Sequence, residues 1–282
     1  PLLFRLPQDL VSNQSILISA AGAARDTGTL LFIQPEDYTK ALAPFAASLI
    51  PSLTGENFKD HSDLIRQSRV VELAYAPGIE KSFGAIRALQ PELVIIVSLP
   101  LDAQSAELAL QMAGTDVDTL LFYADDHGNE LNADQPRFLK EMIRKVHLNL
   151  VENSGRQQIT LVFSGGIAMA EHVAKAIICG ADGVTVDNVL LLALECRLCH
   201  RCRKGLPCPV NLDEGIDTEW GRQRIVNLIG AWHSQLIELM GAMGIREARR
   251  LRGEVGRSMW FEDLEKENFG PIFGERKVSG LG

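Results

Sequence analysis

Residues 159–187 read ITLVFSGGIAMAEHVAKAIICGADGVTVD, and they contain a strand, a helix and a second strand in the predicted order. The apolar runs are Ile159–Phe163 and Gly183–Asp187, and an amphipathic helical pattern lies between them from about Ala170 to Cys179. Short apolar runs joined by a helix are typical of parallel strands that are covered on both faces. The stretch therefore predicts a β-α-β unit.

The same alternation repeats on the N-terminal side of this unit. Three further strand candidates each precede a helical pattern, in the order Val70–Ala74 with Ile79–Leu89, Leu93–Ser98 with Asp102–Ala113, and Thr119–Tyr123 with Pro136–Glu152. Together these units suit a (β/α)8 TIM-type barrel better than an open sheet. The predicted fold class is α/β.

The beginning of the chain is less regular. Residues 1–14 are polar and contain proline, so they predict an arm. Ser15–Ser19 and Thr29–Ile33 are strand candidates, but the nine residues between them are fewer than a parallel crossover needs. A helical stretch is predicted near Asp37–Ser48, and Pro51 indicates a turn. We therefore expect a barrel that is shortened early.

Bulk composition narrows the class of protein. The chain has 282 residues, 46% of them hydrophobic and 23% charged, with a net charge of −8. This acidity argues against general nucleic-acid binding. The longest apolar run, Leu93–Leu101, is too short to span a bilayer, and no signal peptide is visible. We expect a cytoplasmic location and, because the chain starts at Pro1, a fragment or processed piece of a longer protein.

Residues 195–212, ECRLCHRCRKGLPCPVNL, contain four of the five cysteines in the spacing C-x2-C-x2-C-x5-C-P. The candidate metal ligands are Cys196, Cys199, Cys202 and Cys208. Iron–sulfur clusters are bound by thiolates in runs of this kind. Structural zinc is the alternative, although its cysteines usually come as two separated pairs, and disulfides would need an oxidising compartment. The run indicates an inorganic centre, with an iron–sulfur cluster favoured.

The loops after the predicted strands are the candidate ligand sites, because a parallel barrel binds its ligands there. Ser164-Gly165-Gly166 is the most informative, since glycines between a strand and a helix let backbone N–H groups approach a phosphate. A tight turn explains the same glycines equally well. His127 is interpreted as a surface loop residue and Cys179 as a buried one.

Three stretches resemble the large-subunit FMN and iron–sulfur domain of glutamate synthases, in the archaeal-type branch. They are FSGGIAMAEHVAKAIICGADGV at 163–184, CHRCRKGLPCPVNL at 199–212 and AMGIREARRLRGEVGRSMWFEDLE at 242–265. The resemblance implies a TIM-type barrel that binds FMN at its strand ends, with a cluster nearby that feeds it electrons. In that family the reduced flavin converts an imine of 2-oxoglutarate to glutamate.

Carried over by position, the resemblance implies that Gly165 and Gly166 contact an FMN phosphate, with Ser164, Ser98 and Gly128 nearby. Ser98 stands where the family has a lysine, and Asp187-Asn188 stands in a loop that is usually neutral. A carboxylate there would repel a phosphate. The family usually binds a 3Fe–4S cluster with three cysteines, so the extra Cys199 favours 4Fe–4S.

Three regions follow: a barrel over residues 1–194, a cluster segment over 195–216 and a helical C-terminal extension over 217–282, packed on the barrel. A long helix is predicted from Asp217 to Met243 and a short basic one from Ile245 to Leu251. The predicted function is a glutamate synthase-like oxidoreductase domain or subunit, with a glutaminase or reductase component as partner. A barrel without flavin that relays electrons, or is structural, is the alternative. No catalytic residue is assigned.

Overall fold

Eight parallel strands form a closed barrel, and each pairs with the next until β8 pairs with β1. The structure, a computed structural model, describes residues 1–7, 13–255 and 270–273. The strands are β1 Leu2–Arg5, β2 Leu31–Ile33, β3 Leu49–Leu53, β4 Val70–Ala74, β5 Val94–Pro100, β6 Thr119–Tyr123, β7 Thr160–Ser164 and β8 Gly183–Val186. The predicted α/β class and TIM-type barrel are confirmed.

The helices form a ring around this barrel. They are α1 Gln14–Thr27, α2 Ser62–Gln67, α3 Phe83–Leu89, α4 Ser105–Ala113, α5 Leu139–Glu152, α6 Ala170–Cys179, α7 Asn188–Ala193 and α8 Thr218–Ala242. A further short helix, α9, covers Gly270–Phe273. Short 3-10 turns cover Pro35–Asp37, Lys40–Ser48, Ile79–Ser82, Cys202–Lys204 and Ala248–Leu251. From β4 to β8 the predicted order of strands and helices is confirmed. In the described part of the chain, no helix has the length and apolar character to cross a membrane.

The first thirty residues correct two predictions. Leu2–Arg5 is a barrel strand with Phe4 fully buried, so these residues are not an arm. Ser15–Ser19 is not a strand, because it lies inside α1. The side chain of Asn13 accepts a hydrogen bond from the Ser15 N–H and starts the helix, and Gly28 ends it in the left-handed conformation. A short apolar run with no visible period does not distinguish a buried strand from a buried helix.

The third strand, Leu49–Leu53, was not predicted from the sequence because it contains a proline. Pro51 aligns with Ile33 of β2, whereas the pairing with β4 involves Ser52 and Leu53. The predicted turn at Pro51 is therefore wrong. The helical stretch expected before it is the 3-10 turn Lys40–Ser48. With β1 and β3 in place the barrel has all eight strands.

The barrel is filled and has no open pore. A cluster inside it consists of Phe32, Ile50, Val70, Ile96, Leu121 and Val162, one side chain from each of six strands. A larger cluster joins the outer face of the strands to the helices, and Cys179 is buried in it as expected. Packed interior layers are usual for this fold, so ligands reach only the ends of the strands.

Helix α8 confirms the predicted helix from Asp217 to Met243. The Asp217 side chain accepts a hydrogen bond from the Trp220 N–H, and Ile225, Ile229 and Trp232 are buried. The helix packs against α1 and α6, so it belongs to the ring around the barrel. The predicted basic helix is only the 3-10 turn Ala248–Leu251. The part of the predicted C-terminal extension after residue 255 lies outside the described residues, except for α9.

Candidate functional site

The carboxyl ends of the strands surround a cavity of about 440 Å³ at the mouth of the barrel. Ser98 of β5, Ser164 of β7 and the adjoining Gly165 line it, so three of the predicted flavin-site residues lie together. The charged side chains that line the cavity are Arg5, Glu72, Asp126, Asp187 and Arg203. Ligands of parallel barrels bind at this end, and the cavity is therefore the candidate site.

Arg5 and Glu72 connect opposite strands across one half of the mouth. The Arg5 Nη2 atom lies 2.5 Å from Glu72 Oε1, and the Ser52 hydroxyl donates to the other carboxylate oxygen. The Arg5 guanidinium also stacks on the Phe32 ring, 3.9 Å from its centroid. Glu72 is only 3% exposed, so these partners compensate for the burial of its charge.

In the other half of the mouth, strands β6, β7 and β8 contribute polar side chains without charge. The Thr185 hydroxyl donates to Ser164 Oγ at 2.6 Å, and Tyr123 ends β6 with its ring partly exposed. Burial raises the pKa of the Tyr123 phenol, and the negative charges of Glu72 and Asp102 add to this effect. Tyr123 therefore presents a protonated hydroxyl to the cavity at neutral pH.

The predicted phosphate glycines are packed against the loop after β6. Gly165 and Gly166 have φ of 102° and 69°, and Gly128 on the facing loop has φ of 82°. A Cβ atom on Gly165 would lie 2.5 Å from the Asp125 carbonyl oxygen, and one on Gly166 would lie 2.8 Å from the Gly128 Cα. The contact between the two loops thus requires these glycines, whether or not a phosphate is bound. His127, in the same loop, is exposed as expected.

Asp187 follows β8 and lies at the start of the short helix α7. Its Oδ1 atom accepts a hydrogen bond from the Asn188 N–H at 2.6 Å. Burial raises the pKa of Asp187 to about 6, and the charge of Asp126 adds to the increase, against the hydrogen bond from Asn188. In TIM barrels the loops after strands seven and eight and a short following helix often bind a phosphate. Here a carboxylate occupies that position, so the residues do not fit the phosphate of FMN.

The cysteine segment, residues 195–216, has a backbone that suits an anionic centre. Leu198 and His200, on either side of Cys199, have φ of 48° and 53°. The Leu198 N–H donates to Cys196 Sγ at 3.4 Å. Turns with left-handed residues direct successive N–H groups to one point, and many iron–sulfur sites use them. The backbone and the thiol donors therefore fit an iron–sulfur cluster.

The four thiols lie in the same neighbourhood but differ in exposure. Cys199 and Cys202 are exposed, whereas Cys196 and Cys208 are partly buried. Burial raises the pKa of the Cys196 thiol, and the nearby thiols of Cys208, Cys199 and Cys202 raise it further, against the hydrogen bond from the Leu198 N–H. Within residues 1–7, 13–255 and 270–273, no three His, Cys, Asp or Glu side chains are grouped closely enough to hold a metal ion. Ligation by all four thiolates therefore requires the side chains to converge.

Contacts at both ends attach the cysteine segment to the barrel. The Cys196 N–H donates to the Leu191 carbonyl at 3.0 Å, and the Asn13 amide donates to the carbonyls of Leu212 and Asp213. Between these ends, Arg203 Nη2 lies 3.7 Å from the Asp126 carboxylate and lines the mouth. The segment therefore reaches the same cavity as the loops after β6 and β7.

Sequence reasoning missed two side chains of this cavity. Arg5 was assigned to an arm, so no role was given to its charge. Glu72 was treated as part of the apolar run Val70–Ala74, although a single carboxylate within a buried strand is a useful signal. Arg203 lies within the cysteine run, and spacing alone does not reveal which of the cations there turns toward the barrel.

Comparison with known proteins gives a family match and several relatives. Residues 138–246 match the family model described as a conserved region in glutamate synthase. An archaeal glutamate synthase [NADPH] of Methanocaldococcus jannaschii is 39% identical over 132 residues, which are 44% of this chain and 26% of the relative. The archaeal-type enzyme of Dehalococcoides mccartyi is 35% identical over 114 residues, 38% of this chain and 23% of the relative. The matched region thus spans about a quarter of these relatives.

Solved structures resemble this chain through the barrel. A mandelate oxidase variant with a monooxide FMN adduct has a TM-score of 0.61 at 18% identity, covering 90% of this chain and 78% of that one. A flavocytochrome b2 variant with sulfite bound has the same TM-score at 12% identity, covering 100% and 76%. Such identities support the shared fold alone. With the family match and the archaeal-type relatives, the chain contains a glutamate synthase-like domain.

Proposed function

We propose that this chain is the redox domain of a glutamate synthase-type oxidoreductase, with an iron–sulfur cluster bound by the cysteine segment next to the barrel mouth. The observation that carries the proposal is the attachment of this segment at the mouth, through Arg203 and Asp126. The named relatives support a redox role, because all those compared are glutamate synthases. A cluster so near the cavity is well placed to exchange electrons with a ligand there.

Cys196, Cys199, Cys202 and Cys208 are the proposed cluster ligands. Four thiolates favour a 4Fe–4S cluster, and a 3Fe–4S cluster is the alternative if Cys199 does not bind iron. Such a cluster would supply one-electron transfer. The chain's own contribution is to hold the thiolates, to donate backbone N–H groups such as that of Leu198 and to limit access of water to the partly buried Cys196 and Cys208.

The complete reaction belongs to a larger assembly. The relatives named glutamate synthase [NADPH] are about four times as long as the matched region, so further components are expected. We propose a reductase or glutaminase component as partner, a cytoplasmic location, and the reductive amination of 2-oxoglutarate to glutamate as the reaction of the whole. FMN would be the flavin expected in such an assembly.

A second candidate is a barrel without flavin that relays electrons or has a structural role in a larger redox complex. The Asp187 carboxylate at the start of α7 favours this candidate, because it occupies the position where a phosphate would need a donor. The same position argues against glutamate formation inside this chain. The cysteine segment has the same proposed role in both candidates.

Metal and flavin analysis of protein purified without oxygen tests the two candidates. Iron and sulfide together with bound flavin would support an FMN enzyme, and iron and sulfide without flavin would support the relay. Zinc in place of iron would contradict both. The optical and electron paramagnetic resonance spectra then distinguish 4Fe–4S from 3Fe–4S clusters.

The variant Cys199→Ala tests the fourth ligand. We expect it to convert a 4Fe–4S cluster to a 3Fe–4S cluster or to abolish the cluster, as measured by iron content and by the paramagnetic spectrum. Cys179→Ala is the matched control, because Cys179 is 4% exposed in the core and its loss should leave the iron content unchanged. Unchanged iron and spectrum in Cys199→Ala would show that Cys199 is not a ligand.

A further inference from the structure

The half of the mouth next to β8 brings two carboxylates to the cavity. Both Asp187 and Asp126 line it. The negative charge of Asp126 contributes to the raised pKa of Asp187, because like charges repel each other. The Asp187 carboxylate also accepts a hydrogen bond from the Asn188 N–H. An anionic group placed here would meet a carboxylate where a binding site would offer a donor.

The cations of the mouth do not remove this obstacle. The Arg5 guanidinium is bound to Glu72 and stacked on Phe32, on the side of the first strands. Arg203 lies next to Asp126 at 3.7 Å, so its charge is already offset by that carboxylate. Glu72, Asp126 and Asp187 together bring more negative charge to the cavity than the two guanidinium groups balance.

At the mouth, the loop after β7 contributes Gly165 to the same cavity as Asp187. The positions that side chains would take on Gly165 and Gly166 are filled by the backbone of Asp125 and Gly128. A phosphate approaching these glycines from the cavity would lie beside Asp187, because Gly165 and Asp187 line the same space. The charge of Asp187 therefore decides whether a phosphate is accepted.

We infer that the mouth of this barrel excludes the phosphate of FMN, and that Asp187 is the specificity-determining residue that excludes it. The cavity then suits a ligand without a phosphate, such as a flavin that ends at its ribityl chain. This inference rests on the proposed function only in taking the mouth as the ligand site. It does not depend on the cluster.

Titration of the purified chain with FMN and with riboflavin, followed by flavin fluorescence, tests the inference. The two ligands differ only in the phosphate, so the ratio of their affinities isolates its effect. We expect the wild-type chain to bind FMN no more tightly than riboflavin. We expect Asp187→Asn to shift the ratio toward FMN by about tenfold or more, because an amide keeps the acceptor for Asn188 and removes the charge.

Asp102→Asn is the matched control. Asp102 follows β5 at the same end of the barrel and accepts a hydrogen bond from the Gln104 N–H, so this variant removes one charge with a similar change in shape. Its affinity ratio should equal that of the wild type. Circular dichroism confirms that the variants are folded, and iron and sulfide in the same samples report separately on the proposed cluster.

Three outcomes would overturn the inference. One is a wild-type chain that binds FMN tenfold more tightly than riboflavin. Another is an Asp187→Asn variant whose affinity ratio is unchanged or that binds neither flavin, since Asp187 would then not be the residue that excludes FMN. The third is an equal shift in Asp102→Asn, which would reveal an effect of net charge and not of position.

Discussion

The two ends of the barrel treat buried charge in opposite ways. At the base, Arg156 is 5% exposed and its guanidinium donates to His147 Nδ1, to the carbonyls of Ile159 and Gly180 and to the Asp182 carboxylate. At the mouth, Asp187 accepts one backbone hydrogen bond and faces the like charge of Asp126. The base thus pairs its charged groups, whereas the mouth beside β8 places two like charges, those of Asp126 and Asp187, near each other.

This difference separates stability from function in the molecule. A network of hydrogen bonds and ion pairs at the N-terminal ends of the strands holds β7, β8 and the C-terminal part of the chain together, since Arg252 also donates to Asp182. Like charges that lie close together lower stability, and such arrangements are common at functional sites. Parallel barrels generally place activity at the carboxyl ends and stability at the other ends. The predictions below follow from this contrast.

Removal of Arg156 should have the largest effect. Arg156→Ala removes the guanidinium that donates to two buried carbonyls and to Asp182, so we expect a loss of about 3–5 kcal/mol in the free energy of unfolding. Urea denaturation followed by circular dichroism measures it. Arg66→Ala is the control, because this exposed arginine pairs only with the exposed Asp63 and should change stability by about 0.5 kcal/mol or less. A loss below about 1 kcal/mol, which is the range of exposed ion pairs, would contradict the role of Arg156.

The base should also become less stable in acid. Burial lowers the pKa of His147 to about 4, and the charge of Arg156 adds to the decrease. The unfolded chain therefore binds a proton that the folded chain does not, so stability is full above pH 6.5 and falls as the pH decreases toward 4. The loss is about 3 kcal/mol. Unfolding free energies measured over this pH range should show the loss in the wild type and not in His147→Gln. Parallel curves of stability against pH for the two proteins would refute the prediction.

The mouth should respond to pH with the opposite sign. The pKa of Asp187 is raised from 3.8 to about 6, so the folded chain keeps a proton that the unfolded chain has lost. The stability that this provides is present below pH 3.8 and is lost as the pH rises through 6. Asp187→Asn should therefore stabilise the protein at pH 8, by about 1–2 kcal/mol once partial exposure is allowed for. Urea denaturation at pH 8 measures this difference. A variant Asp187→Asn that is less stable than the wild type would contradict the prediction that the ionised carboxylate destabilises the fold.

The contact between Arg203 and Asp126 should have the smallest effect on stability. The Arg203 side chain is 37% exposed and that of Asp126 is 53% exposed, so solvent screens the pair. We expect Arg203→Gln to change the free energy of unfolding by about 0.5 kcal/mol or less. Thermal and urea denaturation beside Arg156→Ala provide the comparison. A loss as large as that of Arg156→Ala would mean that the mouth, like the base, is built for stability.

How much could be predicted from the sequence depended on the length and period of each pattern. The strands Val70–Ala74 and Thr119–Tyr123 and the helix Ala170–Cys179 have the predicted bounds, because clear apolar runs alternate there with amphipathic ones. Leu2–Arg5 was missed because four residues next to a proline carry little signal. Ser15–Ser19 was read as a strand because the alanines that continue helix α1 suit a buried helix and a tight turn equally well.

The candidate site was predicted only in outline. Ser98, Ser164 and Gly165 were assigned to it because the carboxyl ends of parallel strands meet, and all three line the cavity. The reason for Gly165 and Gly166 was not visible, since the loop that requires them is about forty residues earlier in the chain. Arg5 and Arg203 are far apart in the chain although they line the same cavity, and no local pattern links them.

Local patterns of residues were thus sufficient for the class of fold, the order of elements from β4 to α8 and the cysteine run, because each of these depends on neighbours in the chain. Closure of the barrel by Leu2–Arg5 against β8, the position of Arg203 at the mouth and the effect of Asp126 on Asp187 depend on groups distant in sequence. Charges interact through space and not along the chain. Only the folded structure therefore pairs the charges at the base and brings like charges together at the mouth.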